Sequence, residues 1–344
     1  MLKILSLFSG IGAFEKALER LNIEHKVLAY CEIDKQASKA YSIIHGVSED
    51  KNLCDVATVD IWAVDELVDL ITYGFPCQDI SVAGTQVGFS DDEGNLTRSG
   101  LFFEALRIID EHRPKFAIAE NVKALTSKRF SDEFETVLRS LEGIGYHNYW
   151  AVLNAKDYGI PQNRERVFII SIREDVDKGF IFPNPIPLTV TVRSFLDATV
   201  DERFYLSDAF YERIKNTPSP KPQYREETLQ IGSRKYLEEF AIGDYRYDEG
   251  FRIRKNGLCP TLTTLTGQRL SNAVLIWDRS RLRYLTHVES FRLMGFDEED
   301  CEKCFERGIT DVQLRVKAGN SIVVNVLEAI FSKLGETYEE FASQ

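Results

Sequence analysis

The stretch Leu2-Lys3-Ile4-Leu5-Ser6-Leu7-Phe8-Ser9-Gly10-Ile11-Gly12 runs from an apolar β-type segment straight into a turn punctuated by glycine, and helical periodicity begins at Ala13. Glycines at such a turn let a ligand approach the backbone, and the helix that follows offers N–H groups with no partner inside the helix. Strand, glycine turn and helix together are the first unit of an α/β sheet with a nucleotide-type site. The third glycine of a dinucleotide fingerprint would fall at position 15, which is Glu15, so a pyrophosphate ligand is disfavoured. On this stretch alone, a ligand site and a plain tight turn stay equally open.

The same alternation continues for about 170 residues. Apolar β-type runs at Leu2 to Phe8, Lys26 to Cys31, Leu70 to Tyr73, Phe116 to Glu120, Tyr149 to Leu153 and Val167 to Ile172 are separated by helical patterns. The helices are expected at Ala13 to Leu21, Lys35 to Ile44, Leu101 to Glu111 and Asp132 to Gly143, each apolar at spacings of three and four. This pattern predicts a doubly wound, mostly parallel α/β sheet covered by helices. From Phe182 onward, Pro183, Pro185 and Pro187 open a region rich in Tyr, Arg, Pro and Thr with short irregular β-like pieces. Helical periodicity returns after Arg283, and Ser321 to Phe331 reads as an apolar helix that packs back on the first domain. The expected domains are therefore 1–182 with 284–344, and a smaller β-rich insertion over 183–283.

The chain has 344 residues and is 44% hydrophobic, enough for a large core and a smaller one. No stretch approaches the roughly 20 apolar residues of a membrane span, and the first residues run into a strand rather than a signal peptide, so a cytoplasmic location is expected. Six cysteines scattered through a chain of this size do not form a disulfide framework. Cys301 and Cys304 stand as a lone Cys-x-x-Cys without a second ligand pair, and no metal is expected. The formal net charge of −12 argues against an indiscriminate polyanion binder. Residues 190–282, however, carry 15 Lys and Arg against 13 Asp and Glu. Position matters more than the sum, because only a groove-facing surface has to neutralise phosphates.

Several residues suit chemistry at the carboxyl end of such a sheet, where open α/β folds gather their sites. Glu32 follows the second strand at the spacing from the glycines where an acid accepts from ribose hydroxyls, although a helix-cap role is equally open there. Asp55 is a further acid after a short segment. Gly74-Phe75-Pro76-Cys77-Gln78 places a thiol at the end of the third strand. An isolated cysteine is more often a small buried hydrophobe than a nucleophile. Its context differs: a polar, glycine-containing loop, Ile80 to Arg98, follows, and Glu120 ends the next strand on the same sheet edge. Gln162-Asn163-Arg164-Glu165-Arg166 then adds guanidinium donors suited to clamping a carbonyl or a phosphate, or else forms a plain surface cluster.

Taken in order, Phe8-Ser9-Gly10-Ile11-Gly12, Gly74-Phe75-Pro76-Cys77-Gln78, Glu120-Asn121-Val122, Gln162-Asn163-Arg164-Glu165-Arg166-Val167-Phe168 and Ala318-Gly319-Asn320-Ser321 resemble the DNA cytosine-5 methyltransferase family. The resemblance implies a Rossmann-like methyltransferase fold with S-adenosylmethionine as methyl donor. It implies Cys77 as a covalent nucleophile toward carbon 6 of cytosine, Glu120 at ring nitrogen 3, and Arg166 with Arg164 at the carbonyl. Phe8, Ser9, Gly10, Gly12, Glu32, Asp55, Pro76, Asn320 and Ser321 would hold the cofactor. The loop carrying Ser81 and Gln86, with Arg98, would close over a flipped nucleotide. The insertion corresponds to a target recognition domain, with Arg252, Arg254, Thr261, Gln268 and Arg269 expected at double-stranded DNA. The expected enzyme is a monomer of restriction-modification or orphan phage type, which leaves room for a cognate restriction endonuclease acting at the same site. Two departures stand out: Val288 replaces the family's usual arginine in Leu285-Thr286-His287-Val288-Glu289, and Ile33 follows Glu32 where an aromatic is common. The rival readings are a transfer-RNA cytosine-5 methyltransferase on the same frame and a catalytically inactive DNA-binding module.

Overall fold

The structure, a computed structural model, describes residues 1–60, 63–76, 98–215, 228–229, 239–246, 250–254, 256–264 and 273–342. In chain order its strands and helices begin with β1 (Leu2–Leu7), α1 (Ala13–Arg20), β2 (His25–Cys31), α2 (Lys35–His45), β3 (Leu70–Tyr73), α3 (Phe102–His112), β4 (Phe116–Val122), α4 (Ser131–Gly143) and β5 (Tyr146–Asn154). They continue with β6 (Gln162–Asn163), β7 (Glu165–Arg173), α5 (Asp208–Lys215), β8 (Thr228–Leu229), β9 (Ile242–Arg246), β10 (Gly250–Arg254), β11 (Cys259–Pro260), β12 (Val274–Asp278) and β13 (Arg281–Tyr284). The last helices are α6 (His287–Arg292), α7 (Glu298–Glu306), α8 (Asp311–Asn320) and α9 (Val324–Gly335).

The chain divides into two compact units: 1–154 with 165–184 and 326–344, and 155–164 with 185–325. The first contains a six-stranded sheet of order β2-β1-β3-β4-β7-β5. The pairs among β2, β1, β3 and β4 are parallel, whereas β7 runs antiparallel to both β4 and β5. The expected α/β sheet is thus present, with an antiparallel edge. The reason is local: only residues 155–164 separate β5 from β7, too few for the helical crossover that a parallel return requires.

Leu5, Leu7, Ile71, Tyr73, Ala117, Ala119, Val167 and Ile169 are alternate residues of four strands and so share one face. Against them pack Phe102, Ala105, Ile108 and Ile109 of α3 with Phe134, Val137 and Leu141 of α4, the helical spacing read from the sequence. The opposite face is also closed, since Ile4, Leu70, Ile118 and Ile170 are buried. Burial on both faces explains why these strands read as continuous apolar runs. The strand order reverses between β1 and β3, a topological switch point whose carboxyl end forms a natural crevice.

The second unit holds a five-stranded antiparallel sheet, β13-β12-β9-β10-β8, packed on Leu206, Tyr245, Phe251, Ile253, Leu275, Trp277 and Leu282. Helices α6 to α8 belong to this unit, each started by a capping box: Thr286 with Glu289, Asp297 with Asp300, and Thr310 with Gln313. Packing therefore groups residues 285–325 with the second sheet, where the sequence pattern assigned them to the first domain. The apolar helix expected from Ser321 starts instead at Val324, because α8 ends at Asn320 and Ser321 is its extended C-cap. Among the described residues no helix is long and apolar enough to cross a membrane.

Candidate active site

Strand register brings the sequence motifs of the first unit to one edge. Leu7 pairs with Cys31 and with Tyr73, and Tyr73 pairs with Ala119. One residue further along each strand come Phe8, Glu32, Gly74 and Glu120, all level at the carboxyl end of the sheet.

The turn after β1 is tightly wound. Phe8, Gly10 and Gly12 have left-handed φ values of 53°, 57° and 79°. Phe8 tolerates this conformation because its ring packs against the core beneath. Ser9 donates its N–H to the Cys31 carbonyl at 3.0 Å, and its hydroxyl sits between the carbonyls of Ser6 and Cys31, which ties the turn to the end of β2. Glu32 completes the tie, accepting from Gly10 N–H at 2.9 Å through one carboxylate oxygen and from Asp34 N–H at 2.8 Å through the other. A Cβ at Gly10 would meet nothing within 4 Å, so the turn faces open space. Asp55 caps a short turn by accepting from Ala57 N–H at 3.0 Å.

Asn52 was not foreseen as a site residue. Its side chain accepts from Glu32 N–H at 3.0 Å and donates to the Glu32 carbonyl at 2.9 Å and to Ser38 Oγ at 3.0 Å, which sets the backbone of Glu32. An isolated asparagine in a polar loop carries no sequence signal for such a role.

At the other end of the edge, Arg166 Nε lies 2.9 Å from Glu120 Oε1. The pair is diagonal across the β4–β7 ladder, since Glu120 pairs with Phe168 and Arg166 with Val122, a placement that puts both on one face. The other carboxylate oxygen reaches Gly74: a Cβ there would be 3.8 Å from Glu120 Oε2. Asn121, on the opposite face, donates to the Phe75 carbonyl at 3.1 Å, and the Phe75 ring is buried against Phe102. Backbone and ring thus hold the segment up to Pro76 in place. Cys77 follows Pro76 directly and lies outside the described residues, as do Ser81, Gln86, Gln268 and Arg269; Arg98 opens a short turn of which the backbone alone is described.

Four expectations for the second unit need correction or refinement. Arg164 is buried, and its terminal nitrogens donate to the carbonyls of Leu262 (2.6 Å), Ser321 (2.5 Å) and Gly319 (3.3 Å). It therefore ties residues 262 and 319–321 to the segment before β7 instead of presenting a guanidinium to a ligand. Gly319 is required there, because a Cβ would fall 2.2 Å from the Thr263 carbonyl oxygen. Arg252, expected as a groove reader, is buried and paired with Asp244 of the neighbouring strand, with Nε at 3.1 Å. Arg254 donates to the other oxygen of the same carboxylate at 2.7 Å. Thr261 donates its hydroxyl to the Asn163 carbonyl at 2.7 Å, one residue past the short β6–β11 ladder.

Electrostatics separate the thiols. Burial, with help from the nearby Cys54, Asp55 and Glu32, pushes Cys31 up to about 12, and burial raises Cys259 and Cys301 still further. These thiols stay protonated and inert at neutral pH. Among the described residues, no group of three or more His, Cys, Asp or Glu could hold a metal ion.

The sequence matches the C-5 cytosine-specific DNA methylase family over residues 2–336. It is 34% identical to the type II methyltransferase M.Bsp6I of Bacillus sp. (strain RFL6), over 96% of this chain and 97% of that protein. It is 31% identical to the orphan methyltransferase M.SPBetaI of Bacillus phage SPbeta, with 98% of both chains covered. The fold is also similar to the crystal structure of the S. pombe Dnmt2 methyltransferase, with a TM-score of 0.69 at 22% identity, covering 98% of this chain and 99% of that one. The level sheet edge, the Glu120–Arg166 pair beside Gly74 and this full-length similarity converge: the chain belongs to the C-5 cytosine-specific DNA methylase family and is an enzyme that methylates cytosine in DNA.

Proposed function

We propose that the enzyme methylates carbon 5 of a cytosine swung out of duplex DNA, with Cys77 as covalent nucleophile and S-adenosylmethionine as methyl donor. The observation that carries this reading is the Glu120–Arg166 pair, half-buried at the sheet edge with Glu120 Oε2 against Gly74, three residues before Cys77.

The turn fits the cofactor. Gly10 faces open space, and Glu32 and Asp55 supply the carboxylates that accept from ribose hydroxyls and an ammonium group. Phe8 would pack against it, Ser9, Gly10 and Gly12 would bring backbone close, and Pro76, Asn320 and Ser321 complete the proposed set. When bound, S-adenosylmethionine supplies an electrophilic methyl on a sulfonium.

Carbon 5 of cytosine is a weak nucleophile. Addition of the Cys77 thiolate to carbon 6 forms a carbon–sulfur bond and moves the ring's electron pair toward carbon 5, giving an enamine. Glu120, protonated, would donate to ring nitrogen 3 and offset the negative charge that develops there. Arg166 holds that carboxyl in place and would donate to the exocyclic carbonyl. After methylation, loss of the carbon 5 proton returns an electron pair to the ring and expels the sulfur as thiolate. A stacked base admits no attack above its plane, so the cytosine must leave the helix. Ser81, Gln86 and Arg98 are proposed at the flipped nucleotide. Arg254, Thr261, Gln268 and Arg269 are proposed at the groove, and Arg252 sets Arg254 through Asp244. A target recognition domain over 183–283, a monomeric state, a cytoplasmic location and a cognate endonuclease belong to the same proposal.

The test is a duplex carrying 5-fluorocytosine, in which fluorine cannot leave as a proton does. A denaturation-resistant adduct at Cys77 is expected, and Cys77→Ala should abolish turnover while cofactor binding survives. Wild-type methylation by Cys77→Ala, or transfer to transfer RNA and not to duplex DNA, would overturn the reading.

A further inference from the structure

His45 ends α2, and its side chain is buried against the glycine turn. Both ring nitrogens face oxygens that only accept: Nε2 is 3.0 Å from the carbonyl of Ile11, inside the turn, and Nδ1 is 2.7 Å from Glu19 Oε1 of α1. A neutral imidazole has one N–H, so it would leave one nitrogen lone pair aimed at an oxygen lone pair. The imidazolium satisfies both contacts. The ring also lies flush on Gly12, where a Cβ would fall 2.1 Å from Nε2 and 2.6 Å from Cδ2. Gly12 is thus needed for its left-handed φ and for the space that His45 fills.

We propose that His45, held as an imidazolium between Glu19 and the Ile11 carbonyl, is a positioning residue that fixes the Phe8–Gly12 turn for cofactor binding, so that cofactor affinity falls when His45 loses its proton. This rests on the reading of that turn as the cofactor site. Carboxylates and aromatics dominate the surroundings. From α1, Glu19 is hydrogen-bonded to the ring, Glu15 is buried nearby, and Lys16 approaches Glu19 at 3.8 Å. From α2 the Tyr41 ring lies 4.8 Å away, itself stacked on Tyr30 of β2, and His25 of β2 interacts electrostatically with Glu19. Burial alone would lower the His45 pKa; the Glu19 hydrogen bond and charge, the Glu15 charge and the Ile11 carbonyl outweigh it, and the pKa is raised. The proton is therefore held to a higher pH than on an ordinary histidine and is lost as pH rises through that raised value.

The experiment measures S-adenosylmethionine affinity by calorimetry from pH 6 to 9 for the wild type, His45→Gln and Glu19→Gln, with the His45 ring titration followed by NMR. In the wild type, affinity should fall roughly five- to tenfold across the His45 titration, the size expected for one lost hydrogen bond. The ratio of wild-type to His45→Gln affinity should fall toward one over the same range; titration of the ligand itself cancels in that ratio. Glu19→Gln, which keeps the shape but not the charge, should move the midpoint to lower pH. A wild-type affinity that stays level while His45 titrates, or a His45→Gln protein that binds as tightly as wild type at every pH, overturns the proposal and leaves the cofactor site standing. Absence of binding by the wild type at every pH would instead overturn the site reading, and this inference with it.

Discussion

Glu120 is the residue on which the proposed chemistry puts the most weight, and its role separates from its structural role by one atom. Glu120→Gln preserves volume and keeps an oxygen for Arg166, but it removes the carboxyl that would share a proton with ring nitrogen 3. Turnover in a methyl-incorporation assay should fall roughly a hundred- to ten-thousandfold, with little change in Tm. An unchanged rate would exclude the role. The His45–Glu19 pair gives a residue-level pH dependence of opposite kind on its two sides. The His45 pKa is raised, so its contribution to stability is full below the ordinary histidine value and is lost as pH rises through the raised one. The Glu19 pKa is lowered, the His45 bond and charge outweighing burial, so its contribution is full above the ordinary glutamate value and lost as pH falls through the depressed one. Neither residue has a signature by spacing. The sole hint was a histidine on the same helical face as Ala37 and Tyr41, both buried.

At the scale of elements, the parallel strands were readable because each is an apolar run buried on both faces, a composition that few other environments tolerate. The second sheet was not, because its ties are charged. Arg283 of β13 is fully buried, with Nε 2.6 Å from Asp278 Oδ2 and its terminal nitrogens 2.8 and 2.9 Å from the two oxygens of Glu289. Glu289 in turn accepts from Thr286 N–H at 2.8 Å and Asp197 N–H at 2.9 Å, joining β12, β13, α6 and the segment before them. Arg283→Met would strand two buried carboxylates and should cost about 3–5 kcal/mol, measured by chemical denaturation. A loss under about 1 kcal/mol would mean that the network relaxes through water. A sequence shows an arginine in the same way whether it faces a phosphate or a carboxylate. That is why Arg252 was read as a groove contact although it pairs with Asp244.

At the scale of the whole molecule, four of the five described cysteines, Cys31, Cys259, Cys301 and Cys304, are buried, and Cys54 is exposed. Brief alkylation of the folded enzyme followed by peptide mass spectrometry should therefore label Cys54 and spare those four until denaturant is added. Strong native labelling of Cys259 would contradict the packing. The consequence for the covalent trap is direct: a native adduct belongs to Cys77 or Cys54, and the Cys54→Ala variant decides between them. By itself, the sequence determined the α/β class and the order of the motifs, because apolar period, glycine turns and residue types at strand ends are local quantities. The tertiary structure alone decided that β7 returns antiparallel, that residues 285–325 pack with the second sheet, that Arg164 and Arg252 are committed internally, and that His45 meets the Ile11 carbonyl of the glycine turn while Asn52 holds the backbone of Glu32. Each of these depends on which distant segments meet, and charge pairing across such contacts leaves no periodic trace along the chain.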